Sequence, residues 1–200
     1  NSMKVLVTGF PPFPGVSTNP SQTLIDALRI GIISIDGVEL FPATVPVEYR
    51  GVEEIFDQLL ADLQPDLVLS FGVGRHQQSL RFESLAVNLD DARIPDNAGE
   101  IRTQAKIFEN GPEQIVSQLD LEALVETLSS QGIPAEISQN AGRYVCNHLL
   151  YYGSYHQDRV NHPYQFLFTH LPSMENGFVL ERTVNGLETM IDWFRLQILN

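Results

Sequence analysis

Short apolar runs and stripes of apolar residues at helical spacing alternate along the whole chain. The runs are rich in β-branched or aromatic residues, which is typical of strands buried in a sheet. They cover residues 4–9, 38–45, 66–71, 135–138 and 166–168. The stripes indicate amphipathic helices and cover residues 20–28, 52–63, 121–128, 144–152 and 180–198. The alternation predicts an α/β fold, a three-layer α/β/α sandwich around a mostly parallel, mixed sheet.

The segment at residues 80–89 is extended but irregular. Leu80 and Phe82 share one phase of its alternation, whereas Glu83 shares the other phase with the apolar residues that follow it. A change of phase predicts a bulge, or a strand buried on both faces. We expect the Glu83 carboxylate to point inward, where a buried charge needs a partner. The polar residues 90–111 predict a loop.

No repeat, linker or low-complexity tract divides the chain, so we expect a single domain over residues 3–200. Asn19 followed by Pro20 predicts the start of the first helix, with asparagine as the N-cap. Residues 1–2 precede a methionine and are interpreted as a cloning remnant.

Composition narrows the class of protein. Hydrophobic residues make up 43% of the 200 residues and charged residues 18%, which is typical of a globular protein. The 12 basic and 25 acidic residues give a net charge of -13, which argues against nucleic acid or an anionic membrane as partner. A single cysteine predicts a reducing, cytoplasmic location and excludes multi-cysteine metal sites. We expect neither a metal nor a cofactor.

The single cysteine, Cys146, follows a predicted turn at residues 140–143 and lies in the first turns of the next helix. A lone cysteine is more often a small buried hydrophobic residue than a nucleophile. The N-terminus of a helix, however, favours the reactive thiolate. Backbone N–H groups of the same turn could bind a developing oxyanion. Cys146 is therefore the candidate nucleophile.

A cysteine nucleophile needs a base, and His170 is the best placed of five histidines. It follows an apolar strand, and sites in such sheets collect at strand ends. His148 is nearer in sequence, but two residues along a helix turn it away from Cys146, so we expect a surface or packing role. A carboxylate would orient the imidazole, and Glu83 is the candidate because we expect it to be buried.

The loop at residues 9–15 contains three prolines, which make it stiff, and two bulky aromatic residues, Phe10 and Phe13. The prolines remove the N–H donors that a phosphate-binding loop uses. Phe10 and Phe13 on such a loop could form the walls of a flat apolar slot. Ordinary core packing is an equally good interpretation of the two rings.

Four ordered segments of the chain together resemble pyroglutamyl peptidase I, the pyrrolidone-carboxylate peptidase family. The resemblance runs nearly the whole chain. The matching segments are residues 5–10 with 12–13 and 19–21, residues 83–99, residues 141–149, and residues 169–172.

The resemblance implies a catalytic triad of Glu83, Cys146 and His170. It implies that Arg93 lies close to the triad as a polar support in the substrate site, and that Phe10 and Phe13 bracket a pyroglutamyl ring. It also implies hydrolysis after an N-terminal pyroglutamyl residue of peptides or proteins, the same α/β/α fold, and a homotetramer.

The sequence departs from the family pattern at two places that border the expected substrate slot. Pro11 and Pro14 replace an acid and a glycine in the first loop, and residues 72–80 lack a glycine-rich stretch. Two other functions stay open on the residues alone. One is a cysteine-dependent amidase for another small amide, and the other is an inactive binding module on the same fold.

Overall fold

The first apolar run forms strand β1 (Met3–Gly9), which lies inside a six-stranded sheet. Val5 and Val7 point into the hydrophobic core on one face of the sheet, whereas Leu6 points into the core on the other. Continuous apolar character is therefore explained by burial on both faces. The structure, a computed structural model, describes residues 2–198.

The remaining elements follow in chain order, with helices between most strands. They are α1 (Pro20–Arg29), β2 (Val38–Thr44), α2 (Tyr49–Leu63), β3 (Leu67–Val73), β4 (Leu80–Glu83), β5 (Leu85–Val87), β6 (Gln114–Val116), α3 (Leu121–Ser129), β7 (Ala135–Ser138), α4 (Val145–His156), β8 (Gln165–Leu171) and α5 (Leu180–Ile198).

The main sheet has the strand order β2-β1-β3-β8-β4-β7. Its neighbours run parallel except β4 and β8, which are antiparallel, so the sheet is mixed. Helices α1, α3 and α5 cover one face, and α2 and α4 cover the other. This arrangement confirms the predicted three-layer α/β/α fold in a single domain.

The irregular segment at residues 80–89 is divided between two sheets. β4 belongs to the main sheet, whereas β5 pairs antiparallel with β6 in a separate two-stranded sheet. The predicted bulge is therefore wrong, and a change of sheet at Ser84 takes its place. Glu83 is buried as predicted, and the other predicted explanation, a strand buried on both faces, is confirmed for β4. Phe82 and Glu83 are both buried because β4 is covered on both faces.

Capping residues end and begin the helices much as the sequence predicts. The Asn19 side chain accepts a hydrogen bond from the Ser21 N–H at the start of α1. At the end of α2, Gln64 adopts the left-handed conformation (φ 48°) immediately before Pro65. Within residues 2–198, no helix is both long enough and apolar enough to cross a bilayer.

Candidate active site

Three neighbouring strands of the main sheet meet around His170. In the parallel pair of β3 and β8, Gly72 lies opposite His170. In the antiparallel pair of β4 and β8, Arg81 lies opposite the same residue. Glu83, at the end of β4, lies two residues beyond Arg81, so its side chain is on the same face of the sheet as that of His170.

The imidazole of His170 is held between a carboxylate and a thiol. Its Nδ1 lies 2.9 Å from Oε1 of Glu83, and both side chains are buried. Cys146 is within hydrogen-bonding distance of the same ring. Burial lowers the pKa of His170, but hydrogen bonds to Cys146 and Glu83 and their negative charges outweigh it and raise the pKa to about 9. These contacts therefore favour the protonated, imidazolium form of His170.

Cys146 is the second residue of α4, so it lies at the positive end of the helix dipole. The helix is entered through a turn in which Asn140 Oδ1 accepts a hydrogen bond from the Gly142 N–H at 3.0 Å, and Gly142 has a φ of 81°. Tyr144 at the N-cap makes no side-chain cap. The first N–H groups of the helix are thus available for an oxyanion beside the thiol.

Gly72 of β3 allows the sheet to approach the thiol. A Cβ atom on Gly72 would lie 2.8 Å from Sγ of Cys146 and 3.1 Å from Cζ of Phe168. Carbon and sulfur do not approach so closely without strain, so a side chain here would displace the nucleophile. The sequence placed residues 72–80 at the border of the expected slot but did not predict this contact with Cys146, because it joins segments far apart in the chain.

A cavity of about 540 Å³ opens beside Cys146 and His170. Phe13 and Tyr144 form part of its wall, with their ring centroids 5.8 Å apart. Arg93 also lines the cavity, is exposed, and forms no hydrogen bond or ion pair with another residue of the described range 2–198. Phe10 packs in the same hydrophobic cluster as Phe13 but is only 2% exposed and does not line the cavity.

His148 belongs to a second polar cluster behind the catalytic helix. Its Nδ1 lies 2.8 Å from Oδ2 of Asp90 and its Nε2 lies 2.6 Å from Oε2 of Glu53. Burial lowers the pKa of His148, but hydrogen bonds to the two carboxylates raise it overall. The ring is fully buried, so the surface alternative is wrong and the packing alternative is confirmed, with both ring nitrogens paired to carboxylates.

Asn147 fixes the same helix to β5. Its Oδ1 accepts a hydrogen bond from the Val87 N–H at 3.1 Å, and its Nδ2 donates to the Val87 carbonyl at 2.9 Å. Together with the His148–Asp90 contact, these bonds fix the start of α4 and hence the position of Cys146. The consecutive polar pair Asn147 and His148 inside an apolar helix was the available sequence signal for this anchor.

The site therefore has the groups that a cysteine hydrolase uses for nucleophilic acyl transfer. They are a thiol, an imidazole and a carboxylate next to one another, a cavity beside them, and the N–H groups at the start of a helix. Within the described part of the chain, no group of three or more histidine, cysteine, aspartate or glutamate side chains is arranged to hold a metal ion.

Comparison with known proteins identifies the family within this class. The family model for pyroglutamyl peptidase matches residues 3–192, so the chain belongs to the pyroglutamyl peptidase family. It is 36% identical to the pyrrolidone-carboxylate peptidase of Levilactobacillus brevis over 177 residues, which is 88% of this chain and 80% of that protein.

Solved structures of such enzymes have the same fold. The pyrrolidone carboxyl peptidase of Pyrococcus furiosus superposes with a TM-score of 0.90 and 28% identity, over 98% of this chain and 100% of that one. The corresponding enzyme of Fervidobacterium islandicum AW-1 gives a TM-score of 0.89 and 27% identity, over 97% of this chain and 99% of that one.

Proposed function

We propose that this protein is a cysteine exopeptidase that hydrolyses the amide bond after an N-terminal pyroglutamyl residue and releases free pyroglutamate. The observation that carries the proposal is the line of Glu83, His170 and Cys146 beside the cavity, in a chain that belongs to the pyroglutamyl peptidase family. Its substrates are then peptides or proteins with a pyroglutamyl N-terminus.

In the proposed mechanism the Cys146 thiolate attacks the pyroglutamyl carbonyl carbon and forms a tetrahedral oxyanion. The N–H groups at the start of α4 bind the oxyanion. His170, protonated and held by Glu83, donates its proton to the departing amine as the C–N bond breaks. The neutral imidazole then takes a proton from water, which attacks the thioester, and the C–S bond breaks to release pyroglutamate and the thiolate.

Substrate selection follows from charge. A pyroglutamyl group carries a neutral lactam where an ordinary N-terminus carries an ammonium group. Three arginines line the cavity, namely Arg75, Arg81 and Arg93. A free ammonium group entering this cavity would be desolvated and repelled, whereas a lactam needs only hydrogen-bonding partners. The cavity therefore suits a blocked N-terminus.

The substrate-binding roles of three residues belong to the same proposal. Phe13, which contacts Tyr144 in the cavity wall, packs against one face of the pyroglutamyl ring. Phe10, buried in the same cluster, supports that wall from behind without lining the cavity. Arg93, exposed in the cavity, donates hydrogen bonds to the substrate backbone.

We further infer that the protein acts in the cytoplasm, as a homotetramer, and without a metal or organic cofactor. The single cysteine needs a reducing compartment to stay free. The thiol, imidazole and carboxylate supply the nucleophile, the acid and the base, so the proposed reaction requires no further group.

A single assay tests the function. The protein is incubated under reducing conditions with a fluorogenic pyroglutamyl amide and with the matched prolyl amide, and release of the fluorophore is followed. We expect release from the pyroglutamyl amide alone. Release from neither amide contradicts the proposal and leaves a different small amide, or simple binding, as the function of the fold.

Two variants identify the groups responsible. Cys146→Ser and His170→Asn should each abolish release, whereas His162→Asn should retain it. His162 is the matched control because its ring is half-exposed and pairs with Asp66 at 2.9 Å, on a surface that does not line the cavity. Full activity of Cys146→Ser would exclude a thiol nucleophile.

A further inference from the structure

The cavity beside Cys146 is positively charged, although the protein as a whole is strongly acidic. The chain contains 12 basic and 25 acidic residues. Arg75, Arg81 and Arg93 nevertheless line this one cavity, and none of the aspartates and glutamates that the structure describes lines it with them. The cavity is therefore a local reversal of the protein's charge, and a charge of this kind selects among ligands.

Two of the three guanidinium groups are free to meet a ligand. Nε of Arg81 lies 3.1 Å from Oε1 of Glu136, which neutralises part of its charge. Arg75 and Arg93 are exposed and form no ion pair or hydrogen bond within residues 2–198. Their charge is directed into the cavity mouth without an internal partner.

Arg75 and Arg81 both line the cavity next to His170. Arg81 lies directly opposite His170 on β4, and residues so paired point to the same face. On the other side of His170, the Gly74 N–H donates a hydrogen bond to the Leu171 carbonyl at 2.8 Å, immediately before Arg75. Arg81 on β4 and Arg75, two residues past the end of β3, thus lie on the two sides of His170 in the sheet.

The imidazole itself defines which part of the substrate lies there. A group that protonates the departing amine must contact the nitrogen of the scissile amide. The residue after pyroglutamate therefore lies beside His170, between Arg75 and Arg81. The pyroglutamyl ring lies on the other side, toward Phe13 and Tyr144, which line the same cavity.

We propose that Arg75 and Arg81 form a subsite that binds a carboxylate on the leaving side of the scissile amide. The enzyme then prefers pyroglutamyl peptides in which the next residue is acidic, or in which a free C-terminal carboxylate follows at that position. This inference rests on the proposed function, since it assigns the specificity of the same site.

Four short substrates separate the two sources of the carboxylate. They are pyroglutamyl-glutamate amide, pyroglutamyl-glutamine amide, pyroglutamyl-lysine amide, and pyroglutamyl-glutamine with a free C-terminus. The release of free pyroglutamate is measured at pH 7.5 and low salt. We expect kcat/KM for the glutamate amide to exceed that for the glutamine amide about fivefold, with the lysine amide slowest. If kcat/KM for pyroglutamyl-glutamine with a free C-terminus exceeds that for the glutamine amide by a similar factor, the subsite also binds a terminal carboxylate.

The preference should lie in KM, because a guanidinium attracts the carboxylate equally in the ground state and in the transition state. Arg75→Gln and Arg81→Gln should each reduce the preference to about twofold, and about 0.5 M salt should weaken it in the parent protein. Arg29→Gln is the matched control, since Arg29 is an exposed arginine at the end of α1 and does not line the cavity.

The two possible failures are distinguishable. If none of the four peptides is hydrolysed, the proposed function is wrong, and the charge preference is then decided by titrating the glutamate and glutamine amides into the Cys146→Ala protein. Equal rates for the glutamate, glutamine and lysine amides, or equal affinities in that titration, overturn the carboxylate subsite. An unchanged preference for the glutamate amide in both Arg75→Gln and Arg81→Gln also overturns the carboxylate subsite.

Discussion

At the scale of single residues, the charge on His170 is the property that the site depends on. Glu83 and Cys146 raise the pKa of this buried imidazole to about 9, against the opposing effect of burial. At neutral pH the imidazole is therefore protonated and ready to donate to a leaving amine. The general acid of the reaction is therefore present in the resting protein.

This pKa predicts an alkaline limit to activity. We expect kcat/KM for a pyroglutamyl amide to fall above pH about 9, where His170 loses its proton. The same group affects stability. Its pKa is higher in the folded state than the ordinary 6.5, so the stabilisation is complete below pH 6.5 and is lost as pH rises through about 9. Rate profiles and urea unfolding across pH 6–10 measure both effects.

Glu83→Gln tests the origin of that charge. The amide keeps the size of the side chain but removes its negative charge, so the alkaline limit should move to lower pH and kcat should fall about 100-fold or more. Glu113→Gln, which changes an exposed acid near β6, is the control and should leave both unchanged. An unchanged limit in Glu83→Gln would remove this carboxylate from the triad.

Gly72→Ala should reduce activity by displacing the thiol of Cys146. The added methyl group would lie 2.8 Å from Sγ of Cys146, so the thiol must move away from its productive position. We expect at least a tenfold loss of kcat and slower alkylation of Cys146 by iodoacetamide, because a displacement of about 1 Å costs that much in rate. Normal alkylation and normal kcat would show that the sheet can adjust.

At the scale of elements, helix α4 is held by buried polar contacts. Its apolar residues pack on the sheet, but packing alone allows a helix to slide. Asn147 and His148 fix its register through Val87, Asp90 and Glu53. Asp90 also accepts a hydrogen bond from Nη1 of Arg102 at 2.9 Å, so the anchor is a network and not a single pair.

Two histidine–aspartate pairs in this chain allow a matched comparison of that anchor. His148 and Asp90 are fully buried, whereas His162 and Asp66 are partly exposed at nearly the same distance. His148→Gln should lower the free energy of unfolding by about 3 kcal/mol, because it removes one of the two partners of the fully buried Asp90. His162→Gln should lower it by less than about 1 kcal/mol.

Urea unfolding of both variants decides the point, and pH gives a second test. The pKa of His148 is raised in the folded state, so its contribution is complete below pH 6.5 and declines as pH rises through the folded value. The difference between parent and His148→Gln should therefore narrow in alkaline solution. Equal losses in the two variants would mean that burial adds nothing to the pair.

Elements with a strong apolar period could be predicted from sequence, and elements without one could not. The alternation of strands and helices was sufficient for the layers of the sandwich. β6 was missed because its three residues, Gln114–Val116, carry only a partly buried isoleucine between two exposed neighbours. The change of sheet at Ser84 was missed because it depends on pairing with β6, a contact between distant segments.

The same distinction applies to the site. A helix start and a strand end were sufficient to select Cys146 and His170 as candidates, and the strand phase and expected burial selected Glu83. The role of Gly72 and the anchoring of His148 depend on which segments face each other, and no local pattern contains that information. Phe10 does not form a slot wall, because it packs in the core near Phe168, with the ring centroids 6.4 Å apart. This contact also joins distant segments of the chain, so no local pattern predicts it.

At the scale of the whole molecule, net charge opposes the association that the proposed homotetramer requires. Each chain carries -13, so subunits repel one another, and apolar contacts must outweigh the repulsion. Large hydrophobic side chains are available on the surface, including Ile30 at 86% and Leu196 at 66% exposure. Association should therefore depend on ionic strength.

We expect sedimentation at micromolar protein to give four times the mass of the chain at about 150 mM salt, and smaller species at about 10 mM. The reason is screening, since the Debye length shortens from about 30 Å to about 8 Å between these conditions, and repulsion between whole subunits acts over such distances. Apolar contacts change little over the same range, so the shift in mass isolates the electrostatic part. A single chain mass at both salt concentrations would contradict the tetramer, whereas a tetramer unaffected by salt would place the acidic surface away from the interface.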